Sequence, residues 1–272
     1  MGTRIDVKAR IVAVLVAGLA SLALAAPAAA WAPASSATIH PGVQTFTDGA
    51  QCTANFVFSD GGSVYLGQAA HCSGTGAATD TNGCTAQSLP VGTKVDIGGS
   101  QPGTMVYNSW ITMQQLGEKD PDTCQYNDLA LVQVDPADVA KVNPSIPFWG
   151  GPTGVTDTVP AAAKVLSYGN SELRLGITQL SPKQGIQLSQ DHGGWNHAVY
   201  TATPGIPGDS GSGFIDAQGR AFGVLSTLEA APKPAANNVG DVSRELGYLH
   251  AHTAFGAVNL VNGTEPFRGP LL

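Results

Sequence analysis

From residue 50 onward the chain repeats one pattern: a short run of alternating apolar residues, a cluster of Gly, Pro, Asp or Ser, then another short run. Such spacing specifies strands joined by tight turns. The first hairpin is legible residue by residue. Cys52 to Phe58 is one run, Ser59-Asp60-Gly61-Gly62 is the turn, and Ser63 to Ala70 is the return. Further runs at 94–98, 104–112, 129–134, 164–168, 175–180, 185–190, 198–202, 212–216 and 221–228 bring the total to a barrel or sandwich fold. The Pro- and Gly-rich stretch from Asp135 to Gly154 splits them into two halves of similar size, a connection between two sub-barrels. A helical period occurs only near the end, where Val242, Leu246 and Leu249 share a face despite Gly247, and predicts a helix on the barrel surface.

The first thirty residues read as an address. Arg4, Lys8 and Arg10 precede the charge-free run from Ile11 to Ala26, and Ala28-Ala29-Ala30 before Trp31 supplies a small-residue cleavage site. As an uncleaved anchor the run is short of the roughly 20 residues a bilayer requires. The chain is therefore expected to be exported, with no stable membrane association after cleavage. The predicted organisation is a signal peptide over 1–30, a loose Ala-, Ser- and Pro-rich arm or short pro-segment over 31–48, a first barrel over 49–138 and a connection over 139–160. A second barrel over 161–240 and a helix with tail over 241–272 follow.

Composition narrows the functional classes. The 34 Gly and 18 Pro of 272 residues stay below the share of roughly 25–30% that marks low-complexity chains, so a real core is expected. A net charge of -7 leaves no electrostatic footprint for nucleic acid. The four cysteines, Cys52, Cys72, Cys84 and Cys124, are an even number in a chain bound for an oxidising compartment, and two disulfides are the default. Three pairings are possible. A zinc site is the competing reading, but no C-x2-C pair occurs and the spacings are irregular.

The strongest local feature is Gly208-Asp209-Ser210-Gly211-Ser212-Gly213, between a Pro- and Gly-containing loop and an apolar strand start at Phe214. An acyl-transfer serine needs an exposed hydroxyl, a base to take its proton, and backbone N–H groups aimed at the developing oxyanion. Glycines around a serine bring such N–H groups close. By itself the segment is also what a glycine-rich chain contains as a flexible loop. Two further segments accompany it: Gln68-Ala69-Ala70-His71-Cys72 at a strand end, and Asn127-Asp128-Leu129-Ala130-Leu131-Val132 with an acid just before a strand. Histidine suits the general base and the acid suits its orientation.

Together these segments resemble the chymotrypsin-like serine peptidases, whose signatures are A-A-H-C, D-x-A-L and G-D-S-G. The resemblance covers about residues 40 to 255 and implies an all-β fold of two six-stranded antiparallel Greek-key barrels with a C-terminal helix. By match, it implies His71, Asp128 and Ser210 as the catalytic triad and the N–H groups of Gly208 and Ser210 as the oxyanion hole. Ser226 matches the serine that begins the substrate-pairing strand and hydrogen-bonds the aspartate. Within the family the chain looks most like the secreted bacterial α-lytic protease and streptogrisin type, which implies a Cys52–Cys72 disulfide; Cys84–Cys124 would then hold the long insertion between His71 and Asp128. No cofactor is implied, and the implied partner is a protein or peptide substrate.

Two departures accompany the match. No freed I-V-G-G amino terminus is available to pair with Asp209, since Ile39-His40-Pro41-Gly42 matches poorly; Arg174, Arg220 and Arg244 are the candidate partners. Pro204 stands where trypsin-type members carry an aspartate for Lys or Arg, and Leu228 stands where a glycine keeps the pocket open. These predict a shallow pocket for small or medium apolar side chains, with Asp241 as the rival source of a buried negative charge. Beside the endopeptidase reading stands a non-catalytic peptidase homologue that serves as a binding module. An α/β-hydrolase esterase is excluded by the His, Asp, Ser order and by Ser212, which breaks G-x-S-x-G.

Overall fold

The computed structural model describes residues 31–77 and 79–271; the predicted signal peptide lies outside the described residues. Strands β1 (Gln44–Thr47), β2 (Ala50–Thr53), β3 (Val57–Ser59), β4 (Val64–Ala69), β5 (Lys94–Asp96), β6 (Gly103–Asn108) and β7 (Leu129–Gln133) form the first sheet. Strands β8 (Lys164–Tyr168), β9 (Pro182–Asp191), β10 (Asn196–Thr201), β11 (Gly213–Asp216), β12 (Ala221–Leu228) and β13 (Asn237–Asp241) form a closed barrel in the order β10-β13-β12-β11-β8-β9. A last strand, β14 (Asn259–Leu260), returns to the first sheet, whose order is β14-β3-β4-β7-β6-β5-β1-β2. All named pairings are antiparallel.

The second barrel has the six strands expected. The first differs: it is an eight-stranded sheet whose ladder does not close. It still curls back on itself, because only residues 54–56 separate β2 at one end from β3 near the other, and Asn55 and Phe56 exchange hydrogen bonds of 2.9 Å with Gly67 of β4.

Period-two alternation on β7 explains how the two halves meet. Leu129 and Leu131 join Phe56, Trp149, Leu166, Ile215 and Val224 in a cluster between the barrels, while Ala130 and Val132 face Val57, Leu66, Val95 and Met105 inside the first. On β12, Phe222 and Leu225 fill the second barrel as Ala221 and Val224 face the first. Strands buried on both faces read as continuous apolar runs, which is why these two were so plain in the sequence.

The expected C-terminal helix forms as α3 (Val242–His252), capped by Asp241 and burying Val242, Leu246 and Leu249. Two other helices were not anticipated. The run at 104–112 stops as a strand at Asn108, whose side chain accepts from the N–H groups of Trp110 and Ile111 and starts α1 (Ser109–Leu116). Asp120 and Pro121 then begin α2 (Pro121–Tyr126). The run at 175–180 is not a strand, because Leu175 and Gly176 take left-handed φ values of 52° and 78°.

The segment 31–48, expected to be loose, is built into the first barrel. It supplies β1, Ala32 N–H donates to the Val142 carbonyl at 2.8 Å, and Ile39 is 0% exposed. Ile39→Ala should therefore cost about 2–5 kcal/mol in chemical denaturation; a change below about 0.5 kcal/mol, ordinary for a surface position, would mean the arm is loose after all.

Candidate active site

Strands β4 and β7 pair with Ala69 opposite Leu129, so the residues beyond those positions meet at one end of the ladder. There β4 passes into a 3-10 turn, Ala70–Ser73, carrying His71, and Asp128 stands just before β7. The disulfide Cys72–Cys52 ties the turn to β2, while Cys84–Cys124 closes the insertion that contains α1 and α2. Cys52, His71 and Cys72 place a nitrogen and two sulfurs close together, but both sulfurs are spent in the disulfide and offer no thiolate to a metal.

Asp128 is buried and its carboxylate accepts three hydrogen bonds. Oδ2 accepts from His71 Nδ1 at 2.6 Å and from Ser226 Oγ at 2.6 Å, and Oδ1 accepts from the His71 backbone N–H at 2.9 Å. Burial alone would lower the His71 pKa, but the Asp128 charge and its hydrogen bond outweigh burial and raise it. Behind Asp128 its own N–H donates to Glu245 Oε1 at 3.0 Å. Burial pushes the Glu245 carboxyl well above the usual carboxylate range, a shift opposed by that hydrogen bond and reinforced by the charges of Asp128 and Asp241.

The loop around Ser210 is held carbonyl by carbonyl. Ser171 Oγ donates to the Pro207 carbonyl at 2.5 Å, and Thr53 Oγ1 and Gln51 Nε2 donate to the Gly208 carbonyl at 2.7 and 3.1 Å. Ser212 Oγ and N–H hold the Asp209 carbonyl at 2.5 and 3.0 Å, and the Thr53 N–H holds that of Ser210 at 2.8 Å. In a trans peptide the N–H points opposite its C=O. Pinning the Pro207 and Asp209 carbonyls therefore turns the N–H groups of Gly208 and Ser210 the other way, and neither donates to any group among the described residues. Gly208 and Gly211 have φ of 92° and 85°, and a Cβ on Gly208 would lie 2.0 Å from Gln51 Oε1.

Asp209, also fully buried, has two cationic partners. Arg174 is one, bonded through Nη2 to Oδ2; Lys183 is the other, with Nζ at 2.9 Å from the same oxygen. The other candidates serve elsewhere: Arg220 pairs with Asp216, and Arg244 lies over the Trp195 ring at 5.9 Å. Sequence reading missed Lys183 because a lysine in a polar strand carries no sign that it faces inward. Gly169 makes room for the cluster, since a Cβ there would sit 2.5 Å from Asp209 Oδ1 and 2.8 Å from Lys183 Cε.

His71 and Ser210 line one cleft of about 740 Å³ between the barrels, with Gly208, Ser226, Leu225, Thr227 and Leu228. No hydrogen bond joins Ser210 Oγ to His71, although both line this cleft. Trp110, at the start of α1, stands beside His71 with ring centroids 6.4 Å apart. It too escaped notice, as its strand-like run hid the helix. Two sequence expectations are corrected. Pro204 does not line the cleft; it is exposed, and its carbonyl binds Lys183 at 2.8 Å. Asp241 supplies no charge to the pocket either: it pairs with buried His197 at 2.8 Å and caps α3.

No protein-family model and no curated protein sequence matches the chain. Solved structures do. Thermobifida fusca protease A aligns with a TM-score of 0.52 at 18% identity, over 83% of this chain and 99% of that one. A glutamic acid-specific serine protease, described as using a histidine triad in substrate binding, aligns at 0.52 and 16% identity, over 82% and 100%. Nocardiopsis protease aligns at 0.50 and 18% identity, over 82% and 98%. The chain thus has the chymotrypsin-like double-barrel fold of bacterial serine proteases.

In an NMR titration His71 should carry a pKa above the ordinary histidine value of about 6.5, and Asp128→Asn should bring it down. An unshifted His71 in the unsubstituted protein would mean that the pair at 2.6 Å does not persist in solution.

Proposed function

We propose that the chain is a secreted serine endopeptidase that hydrolyses peptide bonds through an acyl-enzyme. The observation that carries this reading is the conjunction, in one cleft, of a serine hydroxyl, a histidine oriented by a buried aspartate, and two unengaged N–H groups beside the serine. His71 takes the Ser210 proton as Oγ attacks the substrate carbonyl, and the resulting imidazolium is stabilised by Asp128. The oxyanion is received by the Gly208 and Ser210 N–H groups. His71 returns the proton to the leaving amine, and water, activated by the same histidine, releases the acyl group. Export rests on the predicted signal peptide and agrees with two disulfides; among the described residues no helix is long and apolar enough to cross a membrane.

The side-chain preference follows from the cleft wall. Gly205, Ile206, Leu225, Ser226, Thr227 and Leu228 carry no charge, the acid of the lining, Asp80, belonging to the separate stretch with Thr79 and Thr81; with Leu228 50% exposed at the mouth, small or medium apolar side chains suit the pocket. Among the described cleft residues the sole histidine is His71, which favours no acidic specificity of the kind named for one of the structural neighbours. The second reading, a binding module without hydrolysis, draws support from the missing Ser210 to His71 hydrogen bond.

A fluorophosphonate separates these readings. Intact protein should be labelled at Ser210, and Ser210→Ala should abolish labelling and hydrolysis while leaving peptide binding; labelling that appears only after proteolytic nicking would refute an already formed site. Because His71 must be neutral to accept the proton, kcat/KM should rise with pH through a midpoint above about 6.5. In a peptide library, cleavage after Ala, Val or Leu should dominate; a preference for Arg, Lys or Glu would overturn the apolar pocket.

A further inference from the structure

The alternation of β9 turns Lys183 inward, and its side chain is 0% exposed. Its nitrogen donates to the Thr203 carbonyl at 2.9 Å and the Pro204 carbonyl at 2.8 Å, and it is ion-paired with Asp209 Oδ2 at 2.9 Å. Two carbonyls and a carboxylate around one nitrogen suit an ammonium; a neutral amine would turn a lone pair toward one of these oxygens. Burial lowers the Lys183 pKa, and the Arg174 charge adds to that, while the Asp209 carboxylate works against both; the ring of oxygens is what suits the charged form.

Charge balance alone does not call for this residue. Arg174 already neutralises Asp209 one for one, so Lys183 leaves the buried trio with one net positive charge. The trio is centred on the side chain of the residue between Gly208 and Ser210. The other two bonds reach the start of the segment that continues into Gly205, Ile206 and Pro207, the cleft wall facing Leu225 to Leu228. Opposite, the Gly205 N–H is held by Asn237 Oδ1 at 2.7 Å.

We propose that Lys183 is a positioning residue for acyl transfer: it clamps the pocket wall at Thr203 and Pro204 to the Asp209 carboxylate, and it sets a net positive charge behind the Gly208 and Ser210 N–H groups where the oxyanion forms. This rests on the peptidase reading. The pocket wall and the oxyanion loop then move as one body, and the electrostatic part acts more strongly on the transition state than on bound substrate.

The test uses K183M, which keeps the side-chain length without the charge, and K183Q, which returns two N–H donors but no charge. For K183M kcat should fall about 10- to 100-fold, with a smaller rise in KM. Affinity for a peptidyl trifluoromethyl ketone, whose hemiketal with Ser210 bears an oxyanion, should fall in proportion to kcat/KM, while affinity for a product peptide changes by less than about threefold. K183Q should recover KM more than kcat. An unchanged K183M, or a loss shared equally by the ketone and the product peptide, overturns the proposal. So does failure of both variants to fold, judged by circular dichroism, because Lys183 would then be purely structural. An unsubstituted protein that hydrolyses no peptide and takes no fluorophosphonate instead overturns the peptidase reading, a result distinguishable from all of these.

Discussion

The site depends on one buried carboxylate. Asp209 lies in the turn that presents Ser210, and two cations and two backbone N–H groups, those of Ser171 and Ile206, converge on it. Burying three charges costs several kcal/mol per ion before any attraction is counted, so such a cluster is a weak source of stability. Its effect is conformational: it joins the segment before β9, β9 itself and the serine loop at a single point. From the opposite side, Thr53 and Gln51 of β2 hold the carbonyls of Gly208 and Ser210. The serine is thus located by charge from the second barrel and by hydrogen bonds from the first.

The same division of labour runs through the rest of the cleft. The first barrel holds His71 and Asp128 at the end of one ladder, and β12 of the second barrel crosses over with Ser226 to complete the aspartate's shell. The apolar cluster between the barrels keeps these contributions in register. The acid stands at the foot of a strand, and short turns carry the histidine and serine, so all three side chains sit on well-braced backbone.

Much of this was legible in the sequence. Strands buried on both faces, such as Leu129–Gln133 and Ala221–Leu228, stand out as apolar runs, and the three flanking motifs around His71, Asp128 and Ser210 mark strand ends and a glycine turn. What escaped has physical causes. Ile39 lies in an Ala-, Ser- and Pro-rich stretch whose composition conceals a pairing with Val142, more than a hundred residues away. Trp110 belongs to a helix whose start depends on the Asn108 cap inside a strand-like run. Lys183 and Glu245 are charged residues that burial and tertiary contacts alone make significant, and no local pattern announces either. Pro204 was assigned by counting back from the serine, whereas the wall of the cleft starts one residue later.

The tail has a consequence for assembly. Strand β14 comes after α3, yet it pairs with β3, and beyond it Glu265 and Arg268 hydrogen-bond to Gly151 and Trp149 in the connection between the barrels. A chain emerging amino terminus first has every residue of β1 to β7 long before it has the strand that covers the β3 edge. That edge presents unpaired backbone groups until Asn259 and Leu260 arrive. Residues 259–268 therefore act as a closing stitch, and the first sheet reaches its finished form only once they are available.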